Sequence, residues 1–331
     1  MDERTAKLRK ELKRAGLTDQ AVEAAWPLWW SDDASKSPSA SAELRFTLAR
    51  RLGLSPQSLA GDRVEFVWKE NSHFKHLTKE EEGQRAALSS FGIAVGRLLV
   101  RGVEATSSLR GVSPDDLREA ILGGQRFVDL QGLLAACWGV GVPVIHLRVF
   151  PLSAKGMHAM VVRVQDRFAI LLGRDALYPA PIAFTLAHEI GHIALRHLEA
   201  TDAVVDMEDP AQIEPDDDEE SAADHYALQL LTGDASPKIE TNLDDFSAAQ
   251  LARAVLVTGP ERNIEPGTLA LCLAYQDKKW AQANSALKMI YDQSKPVWRE
   301  VNFLAAKQID WSAIGSDSAD YLRAVMAVPD A

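Results

Sequence analysis

Apolar residues recur at helical spacing over most of this chain and alternate with a period of two in only one region. In Leu44-Arg-Phe-Thr-Leu-Ala-Arg-Arg-Leu-Gly-Leu-Ser-Pro-Gln-Ser-Leu59 they fall three and four apart, pause at a glycine and resume after Ser55-Pro56. That is the outline of a helix, a turn and a second helix. Further helices are expected over Glu81 to Val100, from Ser113-Pro114, where serine caps and proline fits the first turn, and over Leu130 to Trp138. Val142 to Phe150 is expected to be extended. His158 to Val164 and Arg167 to Leu172 are β-rich and separated only by Gln165-Asp166, which predicts a hairpin. A helix over about Pro181 to Leu198 follows, then an acidic loop from Glu199 to Glu219 and a helix over about Asp218 to Leu231. Beyond Asn242, helical patterns return at Gly267 to Tyr275, Trp280 to Tyr291 and Val297 to Ile309. This order predicts an α+β chain in three parts: a helical region over 1–110, a small β-sheet with its helices over 111–235, and a helical tail over 236–331.

Composition narrows the class. With 331 residues, 47% of them apolar, the chain can bury a sizeable core. Two cysteines, Cys137 and Cys272, lie too far apart to suggest a metal knuckle or a disulfide framework, and Met1 to Gly16 alternates charges with no apolar signal core. A cytoplasmic protein is the expectation. The longest apolar runs, such as Ala135 to Ile145, are short and interrupted by glycine, so no membrane partner is expected. The net charge of −11 is local: 13 acidic residues and no Lys or Arg fall between His197 and Pro237, and removing them leaves +2. Overall charge therefore says little about nucleic acid. The segment 44–59 has a helix-turn-helix outline but no basic stripe, which makes a packed helical hairpin the better reading than DNA contact. The cluster Trp26, Trp29 and Trp30, likewise without a basic groove pattern, is expected in a core.

Candidate chemistry is concentrated in His188-Glu189-Ile190-Gly191-His192. On a helix, residues four apart are turned by about 400°, so both imidazoles leave one face close enough to share a tetrahedral zinc ion. Glu189 is offset by about 100° and stands beside the metal, where a carboxylate can take a proton from water. Zinc needs a third protein ligand and one open position. Glu220-Ser-Ala-Ala-Asp224 offers carboxylates at i and i+4, Glu220 for the metal and Asp224 to accept a hydrogen bond from a ligand imidazole. Glu219 and Asp216 to Asp218 compete for the ligand role. Glu220 is preferred because it alone combines the i+4 aspartate with an inward stripe of Ala223, Ala227 and Leu230. A donor to the developing oxyanion is less well marked, with His158, Tyr178, His225 and Tyr226 as candidates. A free edge on the hairpin strand nearer the metal would let an extended peptide add to the sheet.

Phe184-Thr-Leu-Ala-His-Glu-Ile-Gly-His192, followed by Glu220-x-x-Ala-Asp-x-Tyr-Ala-x-x-Leu-Leu231, resembles the ImmA/IrrE family of metallopeptidases and, more broadly, the gluzincin arrangement. Leu133-Leu-Ala-Ala-Cys-Trp-Gly-Val-Gly-Val-Pro-Val144 is similar to the segment that precedes this motif in the family. The likeness covers roughly 125–232. It departs at Thr232-Gly233, where the family commonly has Met-Pro, at Asp224, where it has Asn, and in the length of the acidic loop. The resemblance implies a zincin-like catalytic core holding one Zn2+ through His188, His192 and Glu220, with Glu189 as catalytic base. It also implies a protein substrate, a helix-turn-helix transcriptional repressor in stress or mobile-element control. The competing expectations are a non-hydrolytic, zinc-stabilised regulatory or DNA-binding protein and a toxin–antitoxin component.

Overall fold

In the computed structural model four strands, β1 (Val144–His146), β2 (Ala159–Val164), β3 (Arg167–Leu172) and β4 (Ala203–Asp206), form one sheet in the order β1-β3-β2-β4. The structure describes residues 3–61, 63–67, 79–152, 157–206, 218–239 and 245–329. β1 runs parallel to β3, and β2 runs antiparallel to both β3 and β4. The expected hairpin forms on Gln165-Asp166, with Gln165 in the left-handed region (φ 58°). The extended stretch expected over 142–150 shortens to β1. After Leu147 the backbone leaves the sheet, and Arg148 N–H donates to Val325 O in the C-terminal region. β4 lies within the stretch expected to be loop, where Val204-Val205 supplies strand-forming residues; 207–217 of that stretch lie outside the described residues. The outer edge of β2, where a free edge was sought, is therefore covered by the chain itself.

Fourteen helices are present among the described residues. Ahead of the sheet stand α1 (Glu3–Arg14), α2 (Asp19–Ala25), α3 (Pro38–Leu52), α4 (Pro56–Ala60), α5 (Lys79–Arg101), α6 (Pro114–Leu122) and α7 (Leu130–Gly139). Ser37, Ser55 and Ser113 cap α3, α4 and α6 through side-chain oxygens, each with proline opening the helix. Next come α8 (Pro179–Ala194) and α9 (Asp218–Thr232), then α10 (Ala248–Arg262), α11 (Pro266–Asp277), α12 (Trp280–Ile290), α13 (Val297–Gln308) and α14 (Ser316–Met326). α4 is only five residues long, and Leu44, Leu48, Leu52 and Leu59 all point inward. The segment 44–59 is thus a helix and a single further turn packed into a core, too short after the turn to lie along a DNA groove.

Period-two alternation in β2 and β3 buries both faces of the sheet. Ala159, Val161, Phe168, Ile170 and Leu172 meet α7, α8 and α9. Met160, Val162, Ala169 and Leu171 meet α5 and the N-terminal helices. α5 approaches closely because Gly92 and Gly96, one turn apart, face Met160 and Val162; a Cβ on Gly96 would lie 2.5 Å from Val162 Cγ2. The expected tail over 236–331 divides between cores. α10, α11 and α12 share their own, around Leu251, Val255, Leu269 and Leu273, whereas α13 and α14 contribute Val297, Val301, Ala305, Ile309, Leu322 and Val325 to the two cores flanking the sheet. No helix among the described residues is long and apolar enough to cross a membrane. Cys137 and Cys272 are free and buried, and burial pushes both thiols up to about 12.

One buried amide ties the C-terminal helices to the sheet. Asn302 on α13 is fully enclosed; its Nδ2 donates to His146 O (2.8 Å) and Met326 O (2.7 Å), and its Oδ1 accepts from His146 N–H (2.7 Å). Asn302→Leu leaves three backbone groups without partners and is expected to lower unfolding free energy by about 3 kcal/mol in denaturant titration.

Candidate metal centre

α8 is apolar around nearly its whole circumference, so its few polar residues are buried with it. His188 and His192 are each 1% exposed and Glu189 is wholly enclosed. The two imidazoles share a face, with their Nε2 atoms 3.0 Å apart. α9 packs along α8 at backbone contact because Gly191 carries no side chain: a Cβ there would lie 3.2 Å from Ala223 O and 3.3 Å from Tyr226 Cβ. That approach brings Glu220 Oε2 to 3.3 Å from His188 Nε2 and Glu220 Oε1 to 3.7 Å from His192 Nε2. Asp218 and Glu219, which compete with Glu220 on sequence grounds, are exposed, and Asp216 and Asp217 lie outside the described residues. One turn beyond Glu220, Asp224 accepts a hydrogen bond from His188 Nδ1–H at 2.8 Å. With Nδ1–H held by Asp224, Nε2 is the nitrogen that faces the cluster, and it offers a lone pair there when the imidazole is neutral.

Two groups that sequence reasoning missed complete the cluster. Asp206, at the end of β4, brings Oδ2 to 3.5 Å from His188 Nε2. His197 lies just past α8, where Arg196 adopts a left-handed conformation (φ 66°) that turns the chain back, and its Nδ1 is 2.9 Å from His192 Nδ1. One of these two rings donates to the other. With His192 as donor, its Nε2 lone pair also faces inward. Asp206 is one acid among 13 in its stretch, and only the pairing of β4 with β2 singles it out. His197 stands five residues after His192, a spacing that a continuous helix would turn to a different face.

The candidate oxyanion donors are dispersed. Tyr178 caps the start of α8, about 15 Å along the helix from His188, and stacks on Tyr291. His225 is exposed, about 100° around α9 from Asp224. Tyr226 is buried and its hydroxyl donates to Val112 O at 3.0 Å, a packing role. His158 alone adjoins the cluster, through its backbone N–H, which donates to Asp206 O at 2.7 Å.

The charges around the cluster call for a cation. Glu189, Asp206, Glu220 and Asp224 set four carboxyl groups around two imidazoles. Burial opposes a charge on His188, but Asp224 and Glu220, with Asp206 and Glu189 behind them, outweigh it and hold its pKa well above the ordinary histidine value. Burial, reinforced by the charges of His188 and His197, keeps His192 neutral. Burial pushes Glu189 and Asp206 up; Asp206 adds to the rise of Glu189, and Glu220 and Asp224 add to that of Asp206. Neither carboxylate oxygen of Glu189, nor Asp206 Oδ2, meets an N–H or O–H donor among the described residues, and the two carboxyl groups face each other, where a hydrogen bond between them requires a proton on one. In a tetrahedral set with bonds of about 2.0–2.1 Å, donors stand about 3.3 Å apart. The spacings of 3.0, 3.3, 3.5 and 3.7 Å bracket that value. His188, His192, Asp206 and Glu220 each offer an atom within 4.8 Å of all the others. The residues present therefore fit a divalent metal ion.

Comparison with protein-family models and with curated proteins found no match.

An ion held at a hundred times its Kd stabilises the folded state by about 2.7 kcal/mol. Co2+ at that excess is expected to raise the calorimetric Tm of the chelator-treated protein and to leave that of a His188→Ala/Glu220→Ala variant unchanged.

Proposed function

We propose that this chain is a zinc-dependent endopeptidase of the ImmA/IrrE type with a zincin-like core. His188, His192 and Glu220 hold one Zn2+, and Glu189 is the catalytic base. Glu189 carries this reading: its carboxyl group is wholly buried, meets no N–H or O–H donor among the described residues and faces the Asp206 carboxyl, and it stands beside the converged donors without belonging to them. A site that only holds a metal gains nothing from such a group, whereas hydrolysis needs a proton acceptor next to the ion. When bound, zinc supplies Lewis acidity, acidifying a water and polarising a carbonyl. Glu189 accepts the proton released as the water oxygen bonds to the peptide carbon, and delivers it to the amine nitrogen as the C–N bond breaks. Its buried surroundings raise its pKa, which makes it a stronger proton acceptor. Asp224 acts as a positioning residue by holding the proton on His188 Nδ1. An extended substrate adds to the outer edge of β4, which pairs only with β2 among the described residues. The family resemblance supplies the substrate class, a helix-turn-helix transcriptional repressor encountered in the cytoplasm.

Asp206 favours a second reading. As a fourth protein donor it completes the tetrahedral set, and closed sites of that kind are structural. On this reading the chain is a zinc-stabilised regulatory protein that cuts nothing.

Mass spectrometry of a panel of purified helix-turn-helix repressors, incubated with the zinc-loaded chain, separates the two. The peptidase reading predicts cleavage that falls about 10²- to 10⁴-fold in Glu189→Gln with zinc content unchanged. No cleavage by the wild type or by Asp206→Asn, with one zinc still bound in each, supports the closed structural site.

A further inference from the structure

α1 and α3 face each other across a cavity of about 550 Å3. Residues 4, 7, 8 and 11 share one face of α1, residues 38, 41, 42 and 45 share one face of α3, and both sets line it. Ser41 and Ala42 are small, which leaves the space between the two helices open. Trp30, with Leu59 of α4 and Val64 beyond it, completes the wall. Leu8, Leu44 and Leu59 are buried and belong to the core on the α5 side of the sheet, whereas α8 and α9 pack on the other face. The polar part of the lining is mostly cationic. Arg4 and Lys7 are exposed, and Arg45 is half-buried with Nη1 donating to Leu59 O at 3.1 Å. The one carboxylate in the lining, Glu11, lies 2.7 Å from Arg14 Nη1. Size decides what such a space can hold. Two turns of an α-helix about 10 Å wide occupy about 850 Å3, too much for this cavity, which falls within the range of about 300–1,000 Å3 found for small-molecule sites.

We propose that this cavity binds a small carboxylate with an apolar body, of the size and chemistry of a medium-chain fatty acid. The body lies against Leu8, Leu44 and Leu59, where its burial removes apolar surface from water. The carboxylate lies among Arg4, Lys7 and Arg45; a guanidinium fork matches its two oxygens, and an ammonium adds a point charge. A neutral amphiphile of the same length gains only the apolar part, and a cationic one is repelled by the same three groups. No metal donor lines the cavity, so the proposal holds whichever reading of the metal centre is correct. Two exposed positions allow it to be probed without cutting into the core. Arg4→Gln/Lys7→Gln removes two of the three charges, and Ala42→Trp fills the space from the α3 side.

Titration calorimetry of the full chain with sodium octanoate and with octanamide, both below the concentrations at which they aggregate, tests this. One octanoate per chain is expected to bind, at least about tenfold more tightly than octanamide. Arg4→Gln/Lys7→Gln should weaken octanoate about tenfold and leave octanamide unchanged, and Ala42→Trp should abolish the binding of both. A readout on the wild type alone guards against a variant that fails to fold: nuclear Overhauser contacts from the octanoate methylenes to the Trp30 ring are expected. No saturable binding of octanoate overturns the proposal. So does equal affinity for acid and amide, binding unmoved by both variants, or bound octanoate that makes no contact with Trp30.

Discussion

A cluster of carboxylates and imidazoles inside an apolar core is unstable unless every charge has a partner. That constraint organises the centre of this protein. Four carboxyl groups approach His188 and His192 in a space from which solvent is almost excluded, and the chain supplies too little positive charge to balance them. A proton on His188 offsets part of the excess. A divalent ion among the four donors would offset more, at spacings that suit it.

Several features of the fold serve this convergence. Gly191 lets α8 and α9 touch, and without that approach Glu220 and Asp224 would stop short of the imidazoles. The sheet, buried on both faces, gives α8 a rigid floor, and β4 carries Asp206 to the cluster by extending that sheet by one strand. α11 packs against α8, and with α12 it encloses a small cavity beside Phe184 and Asp224.

The part of the site written on single helices is legible in the sequence. His188, Glu189 and His192 follow from helical spacing, and Glu220 with Asp224 follows from the same rule applied to a second helix. Asp206 and His197 were not legible. Each depends on the chain turning back after α8, and neither differs in local pattern from its neighbours. Tyr178 shows that nearness in sequence is a poor guide to the site: ten residues before His188, it lies at the far end of the same helix. In the fold, the hairpin and most helices followed from periodicity, because amphipathic spacing reports which face is buried. It does not report which core receives that face, so α13 and α14 read as part of a tail although they pack against the sheet. Asn302, a single polar residue on a helix, carries no sign in sequence of the three backbone bonds it makes.

The central claim is that two helices and a strand enclose one metal ion, and anomalous diffraction at the zinc edge from crystals of the zinc-loaded protein tests it most directly. The account predicts a single strong peak about 2.0–2.2 Å from His188 Nε2, His192 Nε2 and a Glu220 oxygen. A map with no peak among these side chains, or with zinc bound only elsewhere on the chain, would contradict it.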